Sequence, residues 1–107
     1  MVVKRFEIWL TKLDPTLGSE LRKRRPCVIV SPDELNRHIK TAIVAPLTKG
    51  SRSYMSRVPT RFQGIDGQVA LDQMRSVDKM RFVKLLGELD RNSQPKVLAT
   101  LAQMFAE

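Results

Sequence analysis

The sequence predicts a small antiparallel β-barrel packed by one helix at its C-terminal end. Short apolar or alternating runs follow one another at close spacing, turn-forming residues stand between them, and only the last segment carries a helical period. A chain of 107 residues fits one domain, and its 42% hydrophobic and 28% charged residues favour neither disorder nor a fibrous repeat. At this size folding buries only about 60 to 70% of the extended chain's surface, so a second copy sharing the core would help and a homodimer is expected.

Each element follows from local pattern. Phe6-Glu7-Ile8-Trp9-Leu10-Thr11-Lys12-Leu13 mixes alternation with aromatic and β-branched side chains and stops at the turn pair Asp14-Pro15, which makes a first strand. Thr16 to Arg25 holds Gly18 and a dense basic group without apolar periodicity, and reads as an exposed loop. The continuous apolar run Pro26-Cys27-Val28-Ile29-Val30 is a buried second strand. Ser31 with Glu34 three residues later is a capping-box pattern and Pro32 suits the first helical position, so Pro32 to Arg37 should form one short helical turn. Thr41 to Thr48 is a third buried strand, in which Pro46 signals an edge or a bulge.

Lys49 to Ser56 is polar and basic and reads as a second exposed loop. Arg57 to Phe62 forms a strand with Val58, Thr60 and Phe62 on one face, and Gly64 to Gly67 forms a turn. Gln68 to Met74 and Phe82 to Leu86 are two more strands, separated by a Val77-Asp78-Lys79-Met80 connection, which brings the total to six. In the tail Val97, Leu98, Leu101, Met104 and Phe105 recur at helical spacing, with Ser93 as the cap and Pro95 in the first turn.

Several chemistries are excluded early. The single cysteine, Cys27, cannot form an intrachain disulfide and stands where a small buried hydrophobe belongs. Together with the only histidine, His38, it cannot build a zinc site of the usual Cys/His kind, so neither a metal nor another cofactor is expected. No Gly-rich phosphate loop of the nucleotide-binding kinds occurs. The N-terminus reaches Lys4 and Arg5 too soon for a signal peptide, and no apolar run approaches the roughly 18 residues of a membrane span. A cytoplasmic protein with no membrane partner is expected.

The charge is one-sided. Residues 1–62 hold 13 Lys or Arg against 5 Asp or Glu, whereas residues 63–107 hold 6 of each, so the whole net charge of +8 lies in the first part. Such a field concentrates a polyanion, and Lys and Arg contacts to phosphate are the sequence-independent source of nucleic-acid affinity. Gly18-Ser19-Glu20-Leu21-Arg22-Lys23-Arg24-Arg25 sets one carboxylate beside four cations at the mouth of the second strand. Thr48-Lys49-Gly50-Ser51-Arg52 sets hydroxyls and two cations at the end of the third. If those loops meet, a phosphodiester fits between them, because the planar guanidinium donates two parallel hydrogen bonds and stays charged. RNA brings its own nucleophile, the 2′-hydroxyl, so such a site needs only a base, a positive charge and positioning hydrogen bonds. The bland alternatives are a solvated charged loop for Glu20 and Arg22 to Arg25, and a strand-end Thr48 bonded to its own backbone.

The same residues carry a resemblance. Glu7-Ile8-Trp9-Leu10, Leu13-Asp14-Pro15-Thr16 with Gly18-Ser19-Glu20, and Arg25-Pro26 leading into Val28-Ile29-Val30-Ser31 stand in order. Asn36-Arg37, Ala42 to Thr48, Asp72-Gln73-Met74-Arg75-Ser76-Val77-Asp78 and Leu86-Gly87 follow. As an ordered set spanning the chain, they resemble the MazF, PemK and Kid toxins of bacterial toxin-antitoxin modules. The resemblance implies an SH3-like, CcdB/Kid-like barrel and a homodimeric, metal-independent endoribonuclease. Such an enzyme cuts single-stranded RNA, mostly mRNA, leaving a 2′,3′-cyclic phosphate and a 5′-hydroxyl. It implies Arg25, Thr48 and Glu20 as catalytic residues: Arg25 stabilises the phosphorane and can protonate the leaving oxygen, Thr48 binds the scissile phosphate, and Glu20 orients or assists the 2′-hydroxyl. Ser19, Arg22, Lys23, Arg24, Lys49, Ser51, Arg52, Asp72 and Gln73 are the implied RNA contacts.

Two departures stand out: Phe6 occupies a position where the family usually has glycine, and Ala70 precedes Leu71-Asp72 where the Kid branch has arginine. The family also implies a small acidic antitoxin as partner, which suits a +8 toxin. Two rival readings remain: a gyrase poison of the CcdB type, which ends in Trp-Gly-Ile where this chain ends in Phe105-Ala106-Glu107, and a basic barrel that binds RNA without cutting it.

Overall fold

The computed structural model describes residues 1–13, 24–50 and 52–107. The elements are β1 (Glu7–Lys12), β2 (Arg24–Ile29), α1 (Asp33–His38), β3 (Thr41–Thr48), β4 (Arg57–Phe62), β5 (Ile65–Ala70), β6 (Arg75–Asp78), β7 (Phe82–Glu88) and α2 (Gln94–Met104). Two 3-10 turns, Leu71–Gln73 and Lys79–Arg81, flank β6. The strands pair antiparallel in the order β4-β5-β3-β2-β1-β7, with β6 added beside β3. The sheet curls into a half-barrel, and α2 buries Val97 against its apolar interior. The predicted antiparallel barrel with one terminal helix is the observed architecture.

Two apolar clusters explain why the central strands read as continuous hydrophobic runs. Val28, Val30 and Ala45 join Ile8, Val58, Val69, Leu71 and Leu89 on one side, where Leu101 and Met104 of α2 also pack. Cys27, Ile29, Ala42 and Val44 point to the other side, with Val3, Val77 and Phe82. Strands covered on both faces lose the polar alternation of a half-exposed sheet. Burial pushes the Cys27 thiol up to about 11, against the opposing hydrogen bond with Thr11 and the charges of Arg25 and Arg75. The thiol is thus a neutral core group, as the sequence implied.

β3 has three neighbours along eight residues. Thr41 to Val44 pair with β6, Val44 to Pro46 pair with β2, and Leu47 and Thr48 pair with β5. Pro46 is buried opposite Cys27 and marks the change of partner from β6 to β5, so it signals neither a free edge nor the end of pairing. A residue without an N–H fits where the ladder is interrupted.

Several local expectations are corrected. Arg24 and Arg25 belong to β2 and not to the preceding loop. Ser31 does not cap α1: its hydroxyl donates to Asn36 Oδ1 and accepts from the Ile43 N–H at 3.0 Å, which ties the helix to β3. Ser93 likewise turns its hydroxyl to Thr60 Oγ1 and the Pro59 carbonyl instead of capping α2. The β4–β5 turn is Gln63-Gly64, with φ of 53° and 77°, the pattern of a two-residue hairpin with both central residues left-handed. Ile65 to Gly67, expected in the turn, already pair as strand. Val77 and Asp78, expected in a Val77-Asp78-Lys79-Met80 connection, instead end a seventh strand, Arg75–Asp78, held by its backbone pairing to β3.

Phe6 has a φ of 74°, in the region that favours glycine. Its N–H donates to the Ile29 carbonyl at 2.7 Å and its carbonyl accepts from Leu89 at 2.8 Å, while its ring packs on the first cluster. These contacts hold a conformation that costs about 1–2 kcal/mol for an L side chain. Phe6→Gly should therefore be more stable than Phe6→Ala by about 1 kcal/mol in denaturant unfolding, although glycine is ordinarily the weaker of the two in a strand. Equal stabilities, or a more stable alanine variant, would show that the backbone there is unstrained.

Candidate functional site

The β2–β3 register ends with Cys27 opposite Pro46, so Arg25 of β2 and Thr48 of β3 both lie past the last pair, at the same end of the two strands. Both line a cavity of about 500 Å³ between the ends of β2 and β3 and the β4–β5 hairpin. Arg24 and Lys49 add two further cations, and Pro26, Leu47, Phe62 and Ile65 form apolar walls. Asp66 is the carboxylate among the described lining residues, and it pairs with Arg61 at 2.9 Å. Among the described residues no carboxylate pairs with Arg24, Arg25 or Lys49. An anion in this cavity meets three cations over an apolar floor, where attraction is stronger than in bulk water.

Thr48 carries the decisive detail. Its Oγ1 is buried, and among the described residues it has no hydrogen-bond partner. An unsatisfied buried hydroxyl costs about 1–3 kcal/mol, and a ligand oxygen would relieve it. The bland alternative, a Thr48 bonded to its own backbone, does not hold among the described residues. Gly67 explains how the strand end is placed: a Cβ there would lie 2.5 Å from the Thr48 carbonyl oxygen, so only glycine lets β5 approach this closely.

The loop after Thr48 is tied down at both ends. Gln68, opposite Thr48 on β5, accepts the Arg52 N–H at 3.2 Å and donates to the Arg52 carbonyl at 2.7 Å. The guanidinium groups of Arg52 and Arg57 stand 5.9 and 5.4 Å from the centre of the Tyr54 ring. Arg57 makes a forked pair with Asp72, 2.6 Å from Nε to Oδ1 and 3.1 Å from Nη2 to Oδ2, and Ser56 Oγ donates to the same Oδ1 at 2.9 Å.

The structure thus brings together Arg24, Arg25, Thr48 and Lys49. Arg52 lies beside this group, held by its backbone. Asp72 and Gln73 stand apart from the cavity, in the 3-10 turn after β5, where Asp72 serves Arg57. Glu20, Ser19, Arg22, Lys23 and Ser51 lie outside the described residues. Sequence reasoning missed Thr60, Phe62, Gln63, Ile65 and Gly67 as lining residues, since a hairpin's apolar and turn residues carry no chemical signature of their own. It also missed Gln68, a lone amide in a strand. Among the described residues no three His, Cys, Asp or Glu side chains gather as a metal site requires.

The forked hydrogen bond from Arg57 holds Asp72 down at about 2, with a smaller contribution from Ser56. A depressed carboxylate stabilises the fold above its ordinary value near 3.9 and loses that contribution as pH falls toward its folded value. A carboxyl-carbon NMR titration should find Asp72 still ionised at pH 3, and Arg57→Ala should return its midpoint to the ordinary range. A wild-type midpoint near 3.9 would show that the pair does not persist in solution.

The family described as "PemK-like, MazF-like toxin of type II toxin-antitoxin system" matches residues 4–105. The chain is 32% identical over 105 residues to endoribonuclease EndoA of Bacillus subtilis, covering 91% of this chain and 89% of that protein. It is 37% identical over 109 residues to endoribonuclease PemK of Escherichia coli, covering 96% and 82%. Among solved structures, a mycobacterial endoribonuclease in complex with its cognate antitoxin shares the fold with a TM-score of 0.78 at 23% identity, covering 95% of this chain and 93% of that one.

Proposed function

Because this chain belongs to the family of PemK-like, MazF-like toxins of type II toxin-antitoxin systems, we propose that it is a sequence-specific endoribonuclease. Its substrate is single-stranded RNA, mRNA above all, and it works without a metal ion. The observation that carries the reading is the unpartnered Thr48 hydroxyl on a residue that lines one cavity together with Arg25, Arg24 and Lys49.

A phosphodiester seated there meets the Arg25 guanidinium directly. A turn of the Thr48 side chain that brings Oγ1 to the phosphate would give this buried hydroxyl the partner it lacks. Glu20 orients the 2′-hydroxyl and takes its proton as O2′ bonds to phosphorus. The P–O5′ bond breaks, and a 2′,3′-cyclic phosphate and a 5′-hydroxyl result. Arg25 stabilises the phosphorane charge throughout. Since a guanidinium keeps its protons at any accessible pH, a water oriented by Arg25, and not Arg25 itself, gives O5′ its proton, and the proton that Glu20 took from the 2′-hydroxyl neutralises the hydroxide left behind. The apolar walls at Phe62 and Ile65 suit an unstacked base beside the phosphate.

The same reading includes a homodimer and an acidic antitoxin. Met80, 86% exposed, and Val83 and Leu85 on the edge strand β7 supply apolar surface for association, whereas Met74 and Met104 are partly buried and pack against the core. The net charge of +8 favours capture of an acidic chain, and RNA cleavage released from that inhibitor stops translation and growth.

The test is incubation of the purified protein with a long, weakly structured RNA in EDTA, beside Arg25→Ala and Thr48→Val. Wild type should give defined cuts with 5′-hydroxyl ends. Arg25→Ala should cut at least about 100-fold more slowly, and Thr48→Val about 10-fold or more, with both variants folded. Bound but intact RNA would indicate a non-enzymatic RNA-binding barrel, and full activity in Arg25→Ala would remove that residue from the site.

A further inference from the structure

We infer that Gln68 is a positioning residue that fixes the β3–β4 loop relative to Thr48 and thereby sets which RNA sequences are cut. The inference rests on the endoribonuclease reading and names a determinant of specificity within it.

Gln68 sits between Thr48 of β3 and Pro59 of β4 in the sheet register. Its backbone therefore belongs to the rung that positions Thr48. Its side chain, on a residue only 5% exposed, reaches past the end of β3 to the Arg52 peptide, donating to the carbonyl and accepting from the N–H. A buried amide needs both partners, and here one residue's backbone supplies both. The pair of bonds acts as an extra rung beyond the strand's end, so the phosphate-binding hydroxyl and the loop are indexed to one residue. Between those two anchored points lies Lys49, which lines the cavity. Just beyond Arg52, the Tyr54 ring stands near two guanidinium groups and presents an exposed aromatic surface. The far end of the loop is held by Arg57, Ser56 and Asp72.

Loop side chains read unstacked bases, so the geometry of this loop decides which flanking nucleotides fit. Gln68 itself does not line the cavity. Loss of its bonds should change KM and sequence preference, and leave the chemical step at Arg25 and Thr48 in place.

The test compares wild type with Gln68→Met, which keeps the length and removes both bonds, and Gln68→Glu, which can accept the Arg52 N–H but cannot donate to the carbonyl. Cleavage is measured on the preferred site and on single-base variants of it, and exchange of the Arg52 amide is followed by NMR in the same proteins. In Gln68→Met the Arg52 amide should exchange about 10-fold faster while the Val69 amide stays slow. KM should rise and discrimination between sites should fall by about 10-fold, with kcat within about twofold. Gln68→Glu should lie between the two in every readout. Unchanged discrimination despite faster Arg52 exchange would overturn the proposal, as would a uniform loss of kcat or an unfolded chain in both variants. A wild type that cuts no RNA would overturn the endoribonuclease reading itself, and this inference with it.

Discussion

Everything at the candidate site hangs on the path of β3, which exchanges one neighbour for another within its eight residues. Its first four residues pair with β6, Val44 to Pro46 pair with β2, and its last two residues pair with β5. Pro46 stands at the change-over, and Gly67 permits the close approach that follows, because any larger residue would meet the Thr48 carbonyl. The consequence is a strand end, Thr48, that shares a cavity with Arg24 and Arg25 at the start of the neighbouring strand, with the β4–β5 hairpin lining it as well. Regular pairing inside the sheet thus produces an irregular, cationic concavity at its end. That is where a rigid scaffold most readily carries function.

How much of this was legible in the sequence depended on whether local pattern and tertiary pairing agreed. Pro26 to Val30 and Thr41 to Thr48 were plain because both faces of those strands are buried, and α2 was plain because one apolar stripe meets the core. β6 was not, because Arg75, Ser76 and Asp78 are exposed and only Val77 is buried; its pairing to β3 overrides a weak propensity. The hairpin was displaced because Gly64 and Gly67 both looked like turn residues, whereas Gly67 is there for close approach and the less expected Gln63 takes a left-handed turn position. Ser31 and Ser93 fit capping patterns by spacing, yet their hydroxyls found better partners across the fold.

The site was legible in its charge and in two of its central residues, Arg25 and Thr48, and illegible in its support. A hydroxyl and a guanidinium announce phosphate chemistry by type. Gln68, Gly67 and Phe62 matter by placement alone, which no spacing rule exposes. Phe6 joins both kinds: its difference from the glycine usual in the family pointed to an unusual backbone, and its φ of 74° is that backbone. The strain there lies beside the Ile29 and Leu89 pairings that anchor β1 between β2 and the chain after β7.

Asp72 does not line the cavity and stands in the 3-10 turn after β5. It stands in a motif of the family, but the forked pair with Arg57 occupies both its oxygens and directs its charge to the loop's far end. In the proposed reading catalysis falls to Arg25, Thr48 and Glu20. The most direct measurement of that assignment is a crystal structure of the wild-type protein bound to an RNA oligonucleotide made uncleavable by a 2′-deoxy sugar at the cut position. The account predicts the adjoining phosphate in the β2–β3 cavity, about 3 Å from both Thr48 Oγ1 and an Arg25 nitrogen. A phosphate chain that crosses another face and leaves this cavity empty would contradict it.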